Sequence, residues 1–328
     1  MRLEMGAKPP LENFAFLATI YDTIIERDFS EADRDKIIFS AEGSEGVRLH
    51  FRPDGIVVFD FSASPPYSGG MIPAHWTTDG GAAPPDIEVL HKKRLDLMYL
   101  RGRYVNAFLA CFNSAKRGIS TLTPPASPQN YIKVEGGNDS WDLKLESYEC
   151  LPPLVTGALH ISREEICDAV RLLNTHDPDV AEVTRLDILS LLYVAAYNVE
   201  NHDHDSGLAL SSVVTERCQN VLWKRFVTSG YKQINAQAVI MGKRKDILLS
   251  SRDFTASIKS QILNLAGVYT DDTLRRIDEV RRIRNDFMHN LERAYSRESA
   301  AAFSVANEVL SLVLKTRFML SGSPAWKG

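Results

Sequence analysis

Proline divides this chain into two stretches that must fold differently. The 328 residues include 15 prolines, but only Pro178 and Pro324 lie beyond residue 160. Proline lacks a backbone donor and breaks helices, so its near absence from the second half permits long helices there. We therefore expect an α+β domain over residues 1–158, followed by an all-α helical bundle over residues 159–328. The boundary is expected within 151–162.

The first half has the apolar spacing of a mixed domain. Residues 11–26 repeat apolar side chains at three- and four-residue steps, which favours a helix. Residues 46–62 read as two strands joined by a proline–glycine turn, which predicts a β-hairpin. A long helix is expected over 86–116, with two more strands at 131–134 and 141–146 around a glycine-rich turn. No catalytic constellation is evident here, which leaves sensing, partner binding or the positioning of a substrate as roles for this half.

Helical spacing runs through the second half. Ser162 and Glu165 form the pattern of a capping box, with a side-chain oxygen at the N-cap and an acid three residues later. Six helices are predicted, with short connections that are typical of a bundle. They cover residues 163–174, 179–201, 207–229, 252–267, 272–290 and 297–320.

Composition limits the classes of protein to consider. The net charge of −4 excludes a broadly basic nucleic-acid binder, so any RNA contact must come from a local patch. The four cysteines lie far apart without metal-ligand spacing, which indicates the reduced thiols of a cytoplasmic protein. The first thirty residues lack a long apolar core, and no apolar run is long enough to span a bilayer. We expect no signal peptide and no membrane association.

The segment from Arg284 to His289 carries most of the functional information. Arginine binds phosphate and keeps its charge, and histidine exchanges a proton near neutral pH. These are the groups needed to cleave a phosphodiester without a metal. At about 100° per residue, Arg284 lies near the middle of an apolar stripe on its helix. A buried unpaired charge is costly, so we expect a partner for Arg284 or a polar cleft between two helices. The stripe comprises Ile277, Val280, Phe287, Met288 and Leu291.

The pattern Arg-Asn-x-x-x-His at the end of a helix resembles the motif of HEPN domains. These small all-α domains occur in toxin–antitoxin pairs, abortive-infection proteins and RNA-guided nucleases. Arg284, Asn285 and His289 match the family's positions, and the resemblance covers about residues 180–320. It implies a metal-independent endoribonuclease without a cofactor, in which a 2′-hydroxyl attacks the neighbouring phosphorus. His289 would be the general acid or base, Arg284 would stabilise phosphoryl charge, and Asn285 would orient them or donate to phosphate.

The same resemblance implies partners. The family forms homodimers in which two motifs face one cleft, and its members commonly act in phage defence or as toxins on tRNA or mRNA. A cognate antitoxin or regulatory protein is therefore also expected. An acidic residue on an early helix often lies near the cleft, and Glu216 or Glu200 could fill that place. Many HEPN domains only bind ligands, so the alternative is a non-catalytic nucleotide- or protein-binding module with Arg284 as a clamp or dimer strut.

A strongly basic segment precedes the motif. Residues 217–252 contain eight basic side chains and one acid, a local charge of +7. One interpretation is a track for the RNA backbone, with Lys243, Arg244, Lys245 and also Arg281 binding phosphates. The other is a solvated helix face followed by a mobile basic loop. The interleaved aromatic residues either stack on bases or belong to the core. They are Trp223, Phe226 and Tyr231.

Residues 201–205, Asn-His-Asp-His-Asp, contain imidazoles and carboxylates, both of which bind divalent ions. Adjacent ligands on one loop rarely complete a site by themselves. A polar loop between two helices is the favoured interpretation, and no metal is expected.

Overall fold

The structure, a computed structural model, divides into two compact units, Met1–Asn174 and Thr175–Gly328. The first contains both strands and helices and the second is helical, which agrees with the expected α+β and all-α layout. The predicted boundary after residue 158 lies outside the described residues, and the division between the units falls after Asn174. The structure describes residues 13–15, 18–19, 37, 39–51, 56–68, 87–115, 122–126, 132–137, 140–144, 162–237, 239–290 and 292–320.

The described strands of the first unit form two antiparallel sheets. They are β1 (Asn13–Ala15), β2 (Ala18–Thr19), β3 (Phe39–Glu42), β4 (Arg48–Phe51), β5 (Ile56–Asp60), β6 (Ile132–Gly137) and β7 (Ser140–Lys144). One sheet has the order β1-β6-β7 and the other has the order β2-β5-β4-β3. Leu49 of β4 lies opposite Phe59 of β5, and Val134 of β6 lies opposite Leu143 of β7. The hairpin predicted over 46–62 and the later strand pair are both confirmed.

The helix expected over residues 11–26 is wrong where the structure describes that segment. Residues 13–15 and 18–19 are the strands β1 and β2, which pair with β6 and β5. Phe14, Phe16 and Ala18 also alternate at two-residue steps, and a short apolar run fits either period. Pairing with strands that are distant in sequence decides between the two. Residues 20–26 lie outside the described part.

Aromatic side chains fill the core of the first unit, between the β3–β5 sheet and helix α1 (Ile87–Ala115). The predicted helix over 86–116 is thereby confirmed. The ring of Phe108 meets that of Phe59 edge-on, with the ring centroids 5.4 Å apart. Buried aromatic pairs of this kind add stability beyond their burial.

Helix α2 (Arg163–Leu173) packs on α1, which explains why it belongs to the first unit although it was predicted to open the helical domain. Its capping box is confirmed. The hydroxyl oxygen of Ser162 accepts from the backbone N–H of Glu165 at 3.2 Å, and the Glu165 carboxylate accepts from the backbone N–H of Ser162 at 2.8 Å.

The second unit is built around a long central helix, α4 (His204–Thr228). Among its neighbours are the helices α3 (Glu182–Glu200), α6 (Ala256–Leu265), α7 (Asp271–Asn290) and α8 (Ser296–Leu314). These helices match the sequence expectation to within a few residues at most ends. The short helix α5 (Gly242–Ser250) was not predicted, because the basic residues of its segment are also typical of a solvated loop. The indole N–H of Trp223 on α4 donates to the carbonyl of Leu248 at 2.8 Å and joins α5 to the bundle.

Cys167 and Cys218 are free thiols. Burial raises the pKa of the Cys218 thiol, so this group stays protonated and acts as a small apolar side chain. Within the described residues, no helix combines the length and the apolar character that crossing a membrane requires.

Candidate functional site

Helix α7 changes from a buried to an exposed helix along its length. Thr273, Ile277 and Val280 are buried against the bundle at the three- and four-residue steps of one helix face. The next positions on that face are only half-buried, and Met288 exposes 56% of its surface. The predicted apolar stripe is therefore packed only in its first half. Arg284 lies where the stripe leaves the core.

Arg284 has two polar neighbours. Its Nη2 lies 3.6 Å from Oε1 of Glu216 on α4, and its Nη1 donates to the amide oxygen of Asn285 at 3.3 Å. The side chain of Arg284 is 33% exposed and that of Glu216 is 40% exposed. The structure thus brings together three of the predicted residues, Arg284, Asn285 and Glu216. The contact is an ion pair without hydrogen-bond geometry, so the guanidinium is positioned but not locked.

His289 lies on the last turn of α7, and its side chain is exposed. In the part of the chain that the structure describes, its imidazole makes no hydrogen bond or ion pair. Five residues along a helix correspond to about 140° around the axis, so His289 and Arg284 of one copy point in different directions. Asn285 lies between them, about 40° from His289. In one copy of α7, the side chains of Arg284, Asn285 and His289 therefore point in different directions and do not enclose a pocket.

Arg281, predicted to bind phosphate, has partners within the bundle. It forms an ion pair with Asp278 at 2.6 Å and donates to the hydroxyl of Ser260 on α6 at 3.0 Å. The same hydroxyl accepts a bond from the amide of Gln219, which is buried on α4. The network ties α4, α6 and α7 together one turn before Arg284. Sequence reasoning missed Gln219 and Ser260, because neither side chain is unusual in a helix.

The basic segment divides into exposed and engaged side chains. On α5, Lys243 and Arg244 are exposed and Lys245 is half-buried, and none of the three has an ion pair among the described residues. Arg225, by contrast, is held by Asp177 and donates to the carbonyl of Val313 at 2.8 Å. The exposed basic surface is therefore centred on α5. Within the described chain, no hydrogen bond or ion pair joins α5 to Arg284 or His289.

The aromatic residues of this segment serve mainly as core. Trp223 is 3% exposed and Tyr231 is 8% exposed. The Trp223 ring stacks on that of Phe254 with centroids 5.5 Å apart. The rings of Trp223 and Tyr231 are therefore too buried to stack on bases, and that interpretation is wrong for these two residues.

The polar loop at residues 201–205 holds the chain after α7 in place. Asp203 caps α4 by accepting from the N–H of Ser206 at 3.2 Å, and Asp205 accepts from the N–H of Ala294 at 2.8 Å. The His204 ring contacts the Ser299 hydroxyl at 3.1 Å. Among the described residues, no group of histidines, cysteines and acids could hold a metal ion.

No protein-family model matches this chain, and no curated protein or solved structure gives a significant match.

Proposed function

We propose that the helical unit is a metal-independent endoribonuclease of HEPN type. The observation that carries the proposal is the position of Arg284. Its guanidinium is partly exposed, held by Glu216 and Asn285, and lies on the same helix end as an exposed imidazole. A guanidinium has five N–H donors, so two side-chain neighbours leave donors for the oxygens of a phosphate.

In the proposed reaction, the 2′-hydroxyl of the substrate attacks the adjacent phosphorus and expels the 5′-oxygen of the next nucleotide. The products are a 2′,3′-cyclic phosphate and a 5′-hydroxyl. His289 moves the proton of the attacking or leaving oxygen, which typically contributes about 10²–10⁴-fold. Arg284 stabilises the charge on the phosphoryl oxygens, and Asn285 orients the guanidinium or donates to phosphate.

The spread of Arg284 and His289 around α7 supports a composite site. In a homodimer, Arg284 of one copy and His289 of a second copy could reach the same phosphate. The half-buried and exposed apolar side chains at this end, Phe287 and Met288, offer a surface for that contact. Exposed Lys243 and Arg244 on α5, with half-buried Lys245, would attract the RNA backbone. A substrate of tRNA or mRNA would place the protein in the cytoplasm, where a cognate antitoxin or regulatory protein could restrain it.

The alternative is a non-catalytic module that binds a nucleotide or a protein. The ion pair between Arg284 and Glu216 favours it, because the same geometry would suit a clamp for an anionic ligand. This alternative predicts that RNA stays intact.

Incubation of purified protein with total RNA, with and without EDTA, tests the proposal. We expect fragments in both conditions from the wild type and a loss of at least about 100-fold in rate from Arg284→Ala and from His289→Ala. Arg282→Ala is the matched control, since Arg282 is an exposed arginine of α7 that pairs with Asp286. Cleavage that EDTA abolishes, or that both variants retain in full, would contradict the mechanism.

A further inference from the structure

The second unit contains a cavity that shares no residue with the proposed catalytic site. It has a volume of about 770 Å³ and lies between α7, α8 and the segment that follows α8. Small-molecule sites typically occupy roughly 300–1,000 Å³. Its lining is mainly apolar, and two of the lining side chains, Leu312 and Met319, remain 36% and 56% exposed. A concavity that combines an apolar lining with a few polar groups is the usual form of a small-molecule site.

The wall of the cavity is fixed by hydrogen bonds. The chain leaves α8 through Lys315 in the left-handed conformation, with φ at 54°, and turns back along the helix. The Ser311 hydroxyl accepts from the backbone N–H of Phe318 at 3.0 Å, and the Asn307 amide oxygen accepts from that of Leu320 at 3.0 Å. These bonds preform the cavity, and they also occupy polar groups that could otherwise read the edges of a nucleobase.

Positive charge surrounds this apolar wall. Arg276 is neutralised by Glu308 at 2.5 Å and donates to Ser304 at 2.8 Å. Arg297 and Arg317 also line the cavity, and both are exposed. Arg317 donates to the thioether of Met319 at 3.2 Å, which is a weak acceptor. Neither Arg297 nor Arg317 has a carboxylate within ion-pair distance in the described chain, so their charges are available to a ligand.

We propose that this cavity binds a small anion with a hydrocarbon body, of the class of medium-chain fatty acids. The hydrocarbon contacts Phe303, Leu312 and Met319, where its burial is favourable. The carboxylate pairs with the guanidinium group of Arg317, which lies beside Met319. Arg297 adds positive charge along the same cavity. Guanidinium groups are suited to planar anions. A nucleotide fits less well, because the Ser311 and Asn307 groups beside the apolar wall are committed to the chain's own backbone.

Calorimetric titration with dodecanoate, kept below the concentration at which it forms micelles, tests the proposal. We expect saturable binding of one dodecanoate per chain. Dodecyltrimethylammonium, which has the same chain and the opposite charge, should bind at least about ten-fold more weakly. Equal binding of the two ions, binding of many copies per chain, or no binding of dodecanoate would overturn the proposal.

Variants locate the binding site. We expect the double variant Arg297→Gln/Arg317→Gln to weaken dodecanoate binding at least about ten-fold. Arg275→Gln should leave it unchanged, because Arg275 is an exposed arginine of α7 that pairs with Asp272 and does not line the cavity. Ala301→Trp, which places a large ring at the exposed cavity wall, should abolish binding without disturbing the core. Full affinity in either the double variant or a folded Ala301→Trp protein would exclude this site.

Discussion

Arg284 occupies an environment intermediate between a buried strut and a free surface residue. Two-thirds of its side chain is covered, yet its ion pair with Glu216 spans 3.6 Å and both partners touch solvent. Exposed pairs of this kind contribute about 0–1 kcal/mol to folding. The protein therefore gains little stability from placing an arginine here, which supports a role in binding an anion.

Replacing Arg284 by alanine should lower the free energy of unfolding by less than about 1 kcal/mol. Urea denaturation of the purified protein measures this change. Gln219→Ala provides the contrast: Gln219 is 2% exposed and bridges α4 to α6, so its loss should cost about 2 kcal/mol. A loss of about 3 kcal/mol or more in Arg284→Ala would identify the residue as a structural strut and would weaken the proposed catalytic role.

At the scale of elements, the sequence predicted the helices and caps that depend on residues close together in the chain. Proline distribution and apolar periodicity located most of the helices of the second unit, and the capping pattern at Ser162 gave the start of α2. The strands β1 and β2 depend on pairing with residues more than thirty positions away, so local periodicity could not identify them. Helix α5 depends on its contact with Trp223, which is also a tertiary interaction.

The candidate site was predictable to a similar extent. One helical segment contains Arg284, Asn285 and His289, so helical periodicity was enough to predict that they lie within two turns of each other. The exposure of that segment was not predictable, because it depends on where the bundle stops covering α7 after Val280. The cavity was not predictable either. It requires the reversal of the chain at Lys315, which brings Arg317 back to α8.

The capping box of α2 should contribute measurably to the first unit. Ser162→Ala removes the acceptor for the backbone N–H of Glu165 and should lower the free energy of unfolding by about 1 kcal/mol. Hydrogen exchange of the first-turn amides of α2 should rise in the same variant. Ser162→Thr, which keeps the hydroxyl, is the control. Unchanged stability and exchange in Ser162→Ala would show that the cap is dispensable.

At the scale of the whole molecule, ion pairs connect the first residues of the second unit to the segment that follows its last helix. Asp177 precedes α3 and pairs with Arg225 on α4 and, at 3.4 Å, with Lys315 after α8. Burial acts to raise the pKa of the Asp177 carboxyl. The backbone N–H of Asp179 and the charges of Arg225 and Lys315 outweigh it and hold the pKa below its usual 3.8. This carboxylate therefore stabilises the folded unit when it is ionised.

Because the pKa of Asp177 is lower in the folded than in the unfolded state, its contribution is complete above the unfolded value. It is lost as the pH falls below about 4 through the folded pKa. We expect Asp177→Asn to be less stable than the wild type at pH about 6, and the difference to shrink at pH about 3. Urea midpoints at the two pH values measure this. A difference that stays constant or grows on acidification would contradict the assignment.

The candidate functional features described above all lie in the second unit. The described part of the first unit contains an aromatic core and the helices α1 and α2, whereas the candidate catalytic groups, the exposed basic helix α5 and the cavity all lie in the second. The chemistry proposed for the chain thus depends on the second unit. The central claim is that the 2′-hydroxyl of the RNA attacks the adjacent phosphorus and cleaves the strand.

The chemical ends of RNA fragments produced by the wild-type protein test this claim most directly. We expect 5′-hydroxyl ends that a polynucleotide kinase labels without prior phosphatase treatment, and 2′,3′-cyclic phosphates at the other ends. Both kinds of end should disappear in His289→Ala. Fragments with 5′-phosphate and 3′-hydroxyl ends would contradict it, because those are the products of attack by water rather than by the 2′-hydroxyl.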